Sequence, residues 1–589
     1  MDNAPTPRDN ATITASGVAT DAAHRWRPGR VRLLTAGLVI AVVAAFLAGV
    51  ATNGFLPRPV APAPVRGGSI VDSEVSDADT LLPFRTNNPL SVLLDQALWA
   101  PLWYGDDQGV LHPGIADLPS PANGGISTDL KTWTLKLHPG LKWSNGAPLT
   151  ADDLAFSLTL YATPAFANTF GFPTTDPKDP IGMDRVTKVD DLTVRFVLRT
   201  SDVAMLALLA DGAASLVPQS VFGAVRPADI ATSPENSMPS VVSGPFMMAD
   251  HVQGDHLTVV RNPYYYQGPR RPYLDQITFK FFPHSSKDPG PTLTALRTHE
   301  ADAGWFLDNA QLANYRAIPG YTTYLDQNPA TYEVLVFNLA DPLLRDHAIR
   351  QAITMSIDLT QLMSRVLHGS GALTCDDATG TVAHDKSLIP CYRYDPAGAG
   401  RLLDADGWTM GADGYRHKQG QLLVLEYATT GYFRAQIQPL VQADLKGVGI
   451  RVVLKTYDAS DLFGSGSNGV LAGGHFQIAE FGNTPIYDPD DHTVFSSNQT
   501  PDNGGSNYMH YANPTVDQAE AVQQHTADLA ARAAAFHTIH QEVLKDLPVM
   551  YLFSVRNIAC ARSDLHNYRP SALGPTETWN VWDWYLARA

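Results

Sequence analysis

The chain has 589 residues, with 59 acidic and 42 basic side chains and a net charge of −17. Hydrophobic residues make up 44% and charged residues 17%, a balance that excludes an intrinsically disordered chain. The length suits roughly three to four domain-sized units. No basic block occurs beyond a short arginine run near the N-terminus, which argues against nucleic acid as a partner.

Residues 1–24 are polar and aperiodic, and with the arginines that follow they read as a disordered cytoplasmic tail over residues 1–32. Arg25, Arg27, Arg30 and Arg32 precede Leu33–Val50, 18 residues without a charge. As a helix this run spans about 27 Å, close to the hydrocarbon core of a bilayer. The arginines in front of it favour an inside N-terminus and an outside body. Residues 33–52 are therefore expected to form a single-pass transmembrane helix in the cell membrane. If the run is instead cleaved as a signal, the body is secreted or periplasmic. The apolar region of a cleavable signal is about 7–15 residues long, shorter than this one. Residues 53–65 contain PRPVAPAP and read as an extended Pro-rich linker.

The body opens with a predicted strand at Gly67–Val71 and a helix around Leu90–Trp103. Trp133, Leu135 and Leu137 alternate with polar residues, the period of a half-buried strand. After the turn at His138-Pro139-Gly140, Leu141-Lys142-Trp143 reads as a second short strand, followed by an Asn145-Gly146 turn. Thr150 stands three residues before Asp153, the spacing of a capping box, and Leu154, Leu158 and Tyr161 share one helical face. Further on, Leu192–Leu198 and Leu274–Phe279 alternate as strands, and Tyr332–Asn338 is a strong strand. Val424–Tyr427, Phe433–Leu445 and Gly449–Thr456 read as a βαβ unit.

Signatures of catalysis are missing: there is no H-E-x-x-H, G-x-S-x-G or P-loop, and no enzyme is expected. Gly464, Gly466 and Gly469 fit G-x-G-x-x-G but sit in a Ser/Gly/Asn stretch that reads as a loop. The 18 histidines are dispersed without ligand spacing, so neither a metal nor a cofactor is expected. Cys375 and Cys391 enclose a Pro-rich, helix-free stretch. Outside the membrane they are expected to form a disulfide, worth about 3 kcal/mol on the chain-entropy model. Cys560 is left free.

The run from Trp133 to Tyr161, WTLKLHPGLKWSNGAPLTADDLAFSLTLY, resembles the hallmark segment W-x-F-x-L-R-x-G-V-K-F-x-D-G-x-P-x-T-A-x-D-V-x-F-S of the family 5 extracytoplasmic solute-binding proteins. These are the oligopeptide-, dipeptide- and nickel-type binding proteins of ABC importers. Ser243-Gly244-Pro245-Phe246 is similar to the family's G-T-G-P-Y turn, and Asp346–Asp358 to its V-R-Q-A-x-x-x-A-I-D helix. Asn507–Asp517 is similar to its N-Y-x-x-Y-x-N-P-x-x-D stretch. The resemblance implies an α/β, two-lobed periplasmic-binding-protein-like fold with an extra inserted subdomain. Lobe 1 would combine residues 66–108, 241–330 and 553–589. The inserted subdomain would cover 109–240 and lobe 2 would cover 331–552, with the lobes hinged on strands near Phe337 and Met550. The implied function is to bind a peptide or peptide-like solute in the cleft, as a monomer, and deliver it to an ABC permease in the membrane. The alternative is a membrane-tethered ligand sensor or holdase that uses the same cleft without transport.

The resemblance also points to cleft residues. Trp99 falls where the family often has an aromatic residue. Peptide-binding relatives carry W-x-x-D-x-x-D-P, whose first Asp takes the peptide's α-ammonium. Here the Asp-Pro pair is Asp488-Pro489, and the position of that first Asp is Pro485, with Phe481 as the nearest aromatic. Either Glu480 substitutes as the carboxylate, or the solute lacks the ammonium and is held by Asn483, Tyr487 and neighbouring aromatics.

Overall fold

Strand Thr331–Phe337 shows how the sequence builds the second lobe. Leu335 and Phe337 enter one core layer, whereas Tyr332, Val334 and Val336 enter another. That alternation belongs to a sheet covered on both faces. The computed structural model describes residues 63–587 apart from 86–88, 167–171, 180, 211–213, 283–289, 327–328, 382, 432–433, 465, 485–487, 504 and 572–575. The expected tail, the apolar run Leu33–Val50 and most of the Pro-rich linker lie outside the described residues. Among the described residues, no helix is long and apolar enough to cross a membrane.

Two mixed sheets organise the body. In the first, Ser69–Glu74 runs parallel to both Gln276–Phe281 and Ala303–Gly304. The antiparallel hairpin Phe246–Val252/His256–Arg261 extends one side, and Ile558–Arg562 with Tyr321–Leu325 extends the other. In the second sheet, Thr331–Phe337 lies between Val549–Val555 and Ile478–Asn483, antiparallel to both. Val424–Thr430 pairs parallel with Arg451–Tyr457 through helix Arg434–Gly447, which is the predicted βαβ unit.

The chain passes between the sheets twice. The first passage lies between Tyr321–Leu325 and Thr331–Phe337 and starts at Asp326. The second is Arg556-Asn557, between Val549–Val555 and Ile558–Arg562. Strand Val549–Val555 belongs wholly to the second sheet, so the return falls three residues after the boundary at 552/553 expected from the sequence. Asp326 and Asn557 tie the two passages: Asp326 N–H donates to Asn557 O at 3.2 Å, and Asn557 N–H donates to Asp326 Oδ2 at 3.1 Å.

A third, antiparallel sheet of Thr132–Lys136, Thr193–Leu198 and Met183–Lys188 packs with helix Ala151–Tyr161. The helix starts with a reciprocal cap. Thr150 Oγ1 accepts from Asp152 N at 3.3 Å, and Asp153 Oδ2 accepts from Thr150 N at 3.1 Å. Leu154, Leu158 and Tyr161 are buried along one face. Leu141–Trp143 does not form the expected strand. Trp143 N–H donates to Ala147 O and Leu149 N–H to Leu141 O, so this backbone closes on its own Asn145-Gly146 turn. The Trp143 indole donates to Asp153 Oδ2 at 3.2 Å and locks the turn onto the helix cap.

Candidate functional site

Strand Ile478–Asn483 and the chain that follows it wall two connected cavities on the second lobe. One, of about 260 Å³, is aromatic, with Tyr332, Phe463, Phe481, Tyr508 and Tyr551 in its lining. Phe481 meets Phe463 and Tyr508 edge-on at ring separations of 5.7 and 6.4 Å. The other, of about 300 Å³, lies between the third-sheet subdomain, through Ile181, Asp202, Ala204 and Leu208, and the second lobe, through Asn483 and Asp488–Val494. Tyr332, Asn483, Thr493 and Val494 line both. The subdomain touches the second lobe at one edge, where Ser201 Oγ is 2.8 Å from His525 Nδ1 and Val203 N–H donates to Gln524 O.

The second cavity is acidic. Arg532 forks onto Asp488 at 2.6 and 2.7 Å, yet burial outweighs that charge and holds the carboxyl above its usual range. Asp490 is also buried, but the hydrogen bond and charge of His492, 2.9 Å away, outweigh the burial and hold it low. Asp202 approaches from the subdomain and accepts only from Ala204 N among the hydrogen bonds observed. Burial, then the charges of Asp490 and Asp488, push it up to about 7. Asp491 is pushed well above the carboxylate range by burial, then by Glu520, Asp377 and Asp490. Like charges from two separate bodies thus converge on one cavity, an arrangement that favours a cation between them.

The residues picked out from the sequence fall on both sides of the strand. Phe481 and Asn483 line the cavities. Asp488 lines the acidic one but is committed to Arg532. Tyr487 lies outside the described residues, as does Pro485. Two expectations need correction. Trp99 is fully buried, and its indole donates to Leu81 O at 2.9 Å, so it packs in the first-lobe core instead of facing the cleft. Glu480 is also fully buried and points to the opposite face of the strand from Phe481, as the period of two requires. There it accepts from Tyr427 Oη at 2.5 Å, beside the Glu333–Arg434 fork at 2.6 and 2.9 Å. Gly482 is what lets that fork lie against the strand: a Cβ there would stand 2.4 Å from Glu333 Oε1. Glu480 therefore cannot replace the missing anchor carboxylate. Sequence reasoning missed Asp202, Asp490, Asp491, Tyr332, Phe463 and Tyr508. The doubled Asp490-Asp491 directly after Asp-Pro was a visible signal; Asp202 had none.

Comparisons with known proteins agree with this architecture. The sequence model of the bacterial extracellular solute-binding proteins, family 5 Middle, matches residues 111–506, more than half of the chain. The oligopeptide-binding protein AppA of Bacillus subtilis (strain 168) is 23% identical over 563 residues, covering 94% of this chain and 98% of its own length. The structure of AppA in complex with a nonapeptide matches with a TM-score of 0.71 at 22% identity, over 89% of this chain and 100% of that one. NikZ from Campylobacter jejuni, in complex with Ni(L-His), matches with a TM-score of 0.71 at 21% identity, over 88% and 99%. The two-sheet architecture and this match together lead to one conclusion: the chain belongs to the family 5 bacterial extracellular solute-binding proteins.

Proposed function

We propose that the protein captures a peptide or peptide-like solute in the two connected cavities and hands it to an ABC permease. The supporting observation is the joined pair of cavities, one aromatic and one acidic, at the meeting of the subdomain and the second lobe. Aromatic walls suit side chains of varied shape. A solute ammonium between Asp202 and Asp490 would relieve the repulsion there through charge-assisted hydrogen bonds, about twice as strong as neutral ones. Asp202 thus takes the place of the anchor carboxylate that position 485 lacks. The proposal includes anchoring of the extracytoplasmic body through Leu33–Val50 and action as a monomer.

Native mass spectrometry of the protein with a mixed pool of free-amine oligopeptides, and with the same pool N-acetylated, tests this reading. Free-amine peptides are expected to be retained, and Asp202→Asn is expected to abolish the preference for them. Equal retention of acetylated peptides would show that no ammonium is read at Asp202. Retention of neither pool would exclude peptides.

A further inference from the structure

Beneath the acidic cavity lies a group of side chains that solute capture does not explain. Ligand atoms of Asp377, Asp491 and His540 all lie within 4.8 Å of one another, and those of Asp490, Asp491 and Glu520 do as well. Exposure is 7% for Asp377, 3% for Asp491 and 1% for His540. Buried polar atoms are normally hydrogen-bonded. Here both Asp491 oxygens, Asp377 Oδ1, Glu520 Oε1 and both His540 ring nitrogens make no hydrogen bond. His540 Nε2 stands 3.3 Å from Asp377 Oδ1, an ion-pair distance but outside hydrogen-bond geometry. Asp491 holds the N-cap position of helix His492–Phe495, where an Asp carboxylate ordinarily accepts from the helix backbone. It makes no such bond.

The cations nearby are already engaged. Arg532 is taken by Asp488, His492 by Asp490, and His384 by Asp376. The supports are rigid. Asp377 follows Cys375, whose sulfur is bonded to that of Cys391, and Asp376 is held by His384 and by the Asp385 backbone N–H. His540 sits within the 18-residue helix Leu529–Asp546, and Glu520 within helix Pro514–His525.

We infer that Asp377, Asp491 and His540 form a divalent-cation site at the floor of the cleft, with Glu520 as a further oxygen donor beside Asp491. Metal–ligand distances of about 2.0–2.2 Å in a tetrahedral site require donor separations of about 3.4 Å, so the side chains draw inward by about an ångström on binding. One imidazole with carboxylates suits the borderline ion Zn(II) or the harder, oxygen-preferring Mn(II) and, lacking thiolates, does not suit Cu(I). Asp377 and Asp491 also line the cavity, so a coordination position is left toward the cleft for water or a solute oxygen. The inference rests on the solute-binding reading only in that the site opens onto the same cavity. The contributing residues come from separate elements, which is why ligand spacing in the sequence gave no sign of a metal.

Untagged full-length protein, stripped with EDTA and free of added peptide, is titrated with ZnCl2 and separately with MnCl2 by calorimetry, and bound metal is counted by mass spectrometry. At least one of the two cations is expected to bind with one equivalent per chain and to raise the melting temperature. Asp491→Asn and His540→Gln should each weaken binding by at least about tenfold, whereas Asp406→Asn, on the far side of the lobe sheet pairing with Lys418, should not. Absence of stoichiometric uptake of both cations, or uptake unchanged in both variants, overturns the site. If the variants fail to fold, X-ray absorption of the loaded wild type decides: oxygen donors with one imidazole support the assignment, and a shell without imidazole refutes it. Peptide retention is measured separately, so a failed metal titration leaves the solute reading standing, and a failed peptide assay leaves the metal result intact.

Discussion

The environment of Asp202 is set by how closely the subdomain meets the second lobe. Burial and the facing charges of Asp490 and Asp488 push it up to about 7, and His492 opposes them. Its carboxylate is ionised above that value and neutral below it. A solute that binds through an ammonium is therefore held better as pH rises through the window. Affinity for a retained free-amine peptide should increase about tenfold, the equivalent of one pKa unit, from about pH 5.5 to about pH 7.5, where the ammonium stays largely protonated. Asp202→Asn should flatten that profile, which calorimetry at several pH values measures. A variant with the wild-type slope would place the titrating group elsewhere. Glu480 makes the opposite point. Its charge looked available in the sequence, but alternation along the strand turns it inward to Tyr427 and away from the solute.

At the scale of elements, the two passages between sheets carry their own titrating group. Asp326 is 4% exposed and lies where the first passage meets the second. Burial pushes its carboxyl up to about 8, against the Asn557 backbone N–H and the charge of Arg556. The folded state thus keeps a proton that the unfolded chain releases near 3.8. Protons bound in the native state exceed those in the unfolded state between those values, so stability falls as pH rises through the window and levels off above it. The loss is at most about 1.4 kcal/mol per pH unit. Asp326→Asn keeps an acceptor for Asn557 N–H and removes the titration, so its melting temperature should gain on the wild type between about pH 5 and about pH 8. A constant difference across that range would contradict the assignment. The capped helix Ala151–Tyr161 and the βαβ unit were legible from the sequence because caps and hydrophobic periods are local signals. The strand expected at Leu141–Trp143 was not formed, because its hydrogen bonds were satisfied inside a turn.

For the whole molecule, the two short passages between the sheets are the connections about which a closing motion would bend, and the Ser201–His525 contact already joins the subdomain to the second lobe. Closure of two lobes on such connections is a hinge motion. X-ray scattering should give a smaller radius of gyration for protein saturated with a retained free-amine peptide than for peptide-free protein. An unchanged radius at saturation would count against capture by closure.

What the sequence determined by itself is the family, from strand alternation, a capping box and the Trp133–Tyr161 segment, each a short-range pattern that survives in one dimension. It also pointed to Phe481, Asn483 and Asp488, which line the two cavities. Only the tertiary structure decided which side chains come together there. Asp202, Asp377, Asp491 and His540 come from separate elements and meet only on folding. Trp99, which resembled a cleft aromatic, packs in the first-lobe core, where Leu81 O satisfies its indole N–H. The physical reason is that burial and like-charge proximity, the two quantities that shift the protonation of these carboxylates, depend on distances across the fold and not on spacing along the chain.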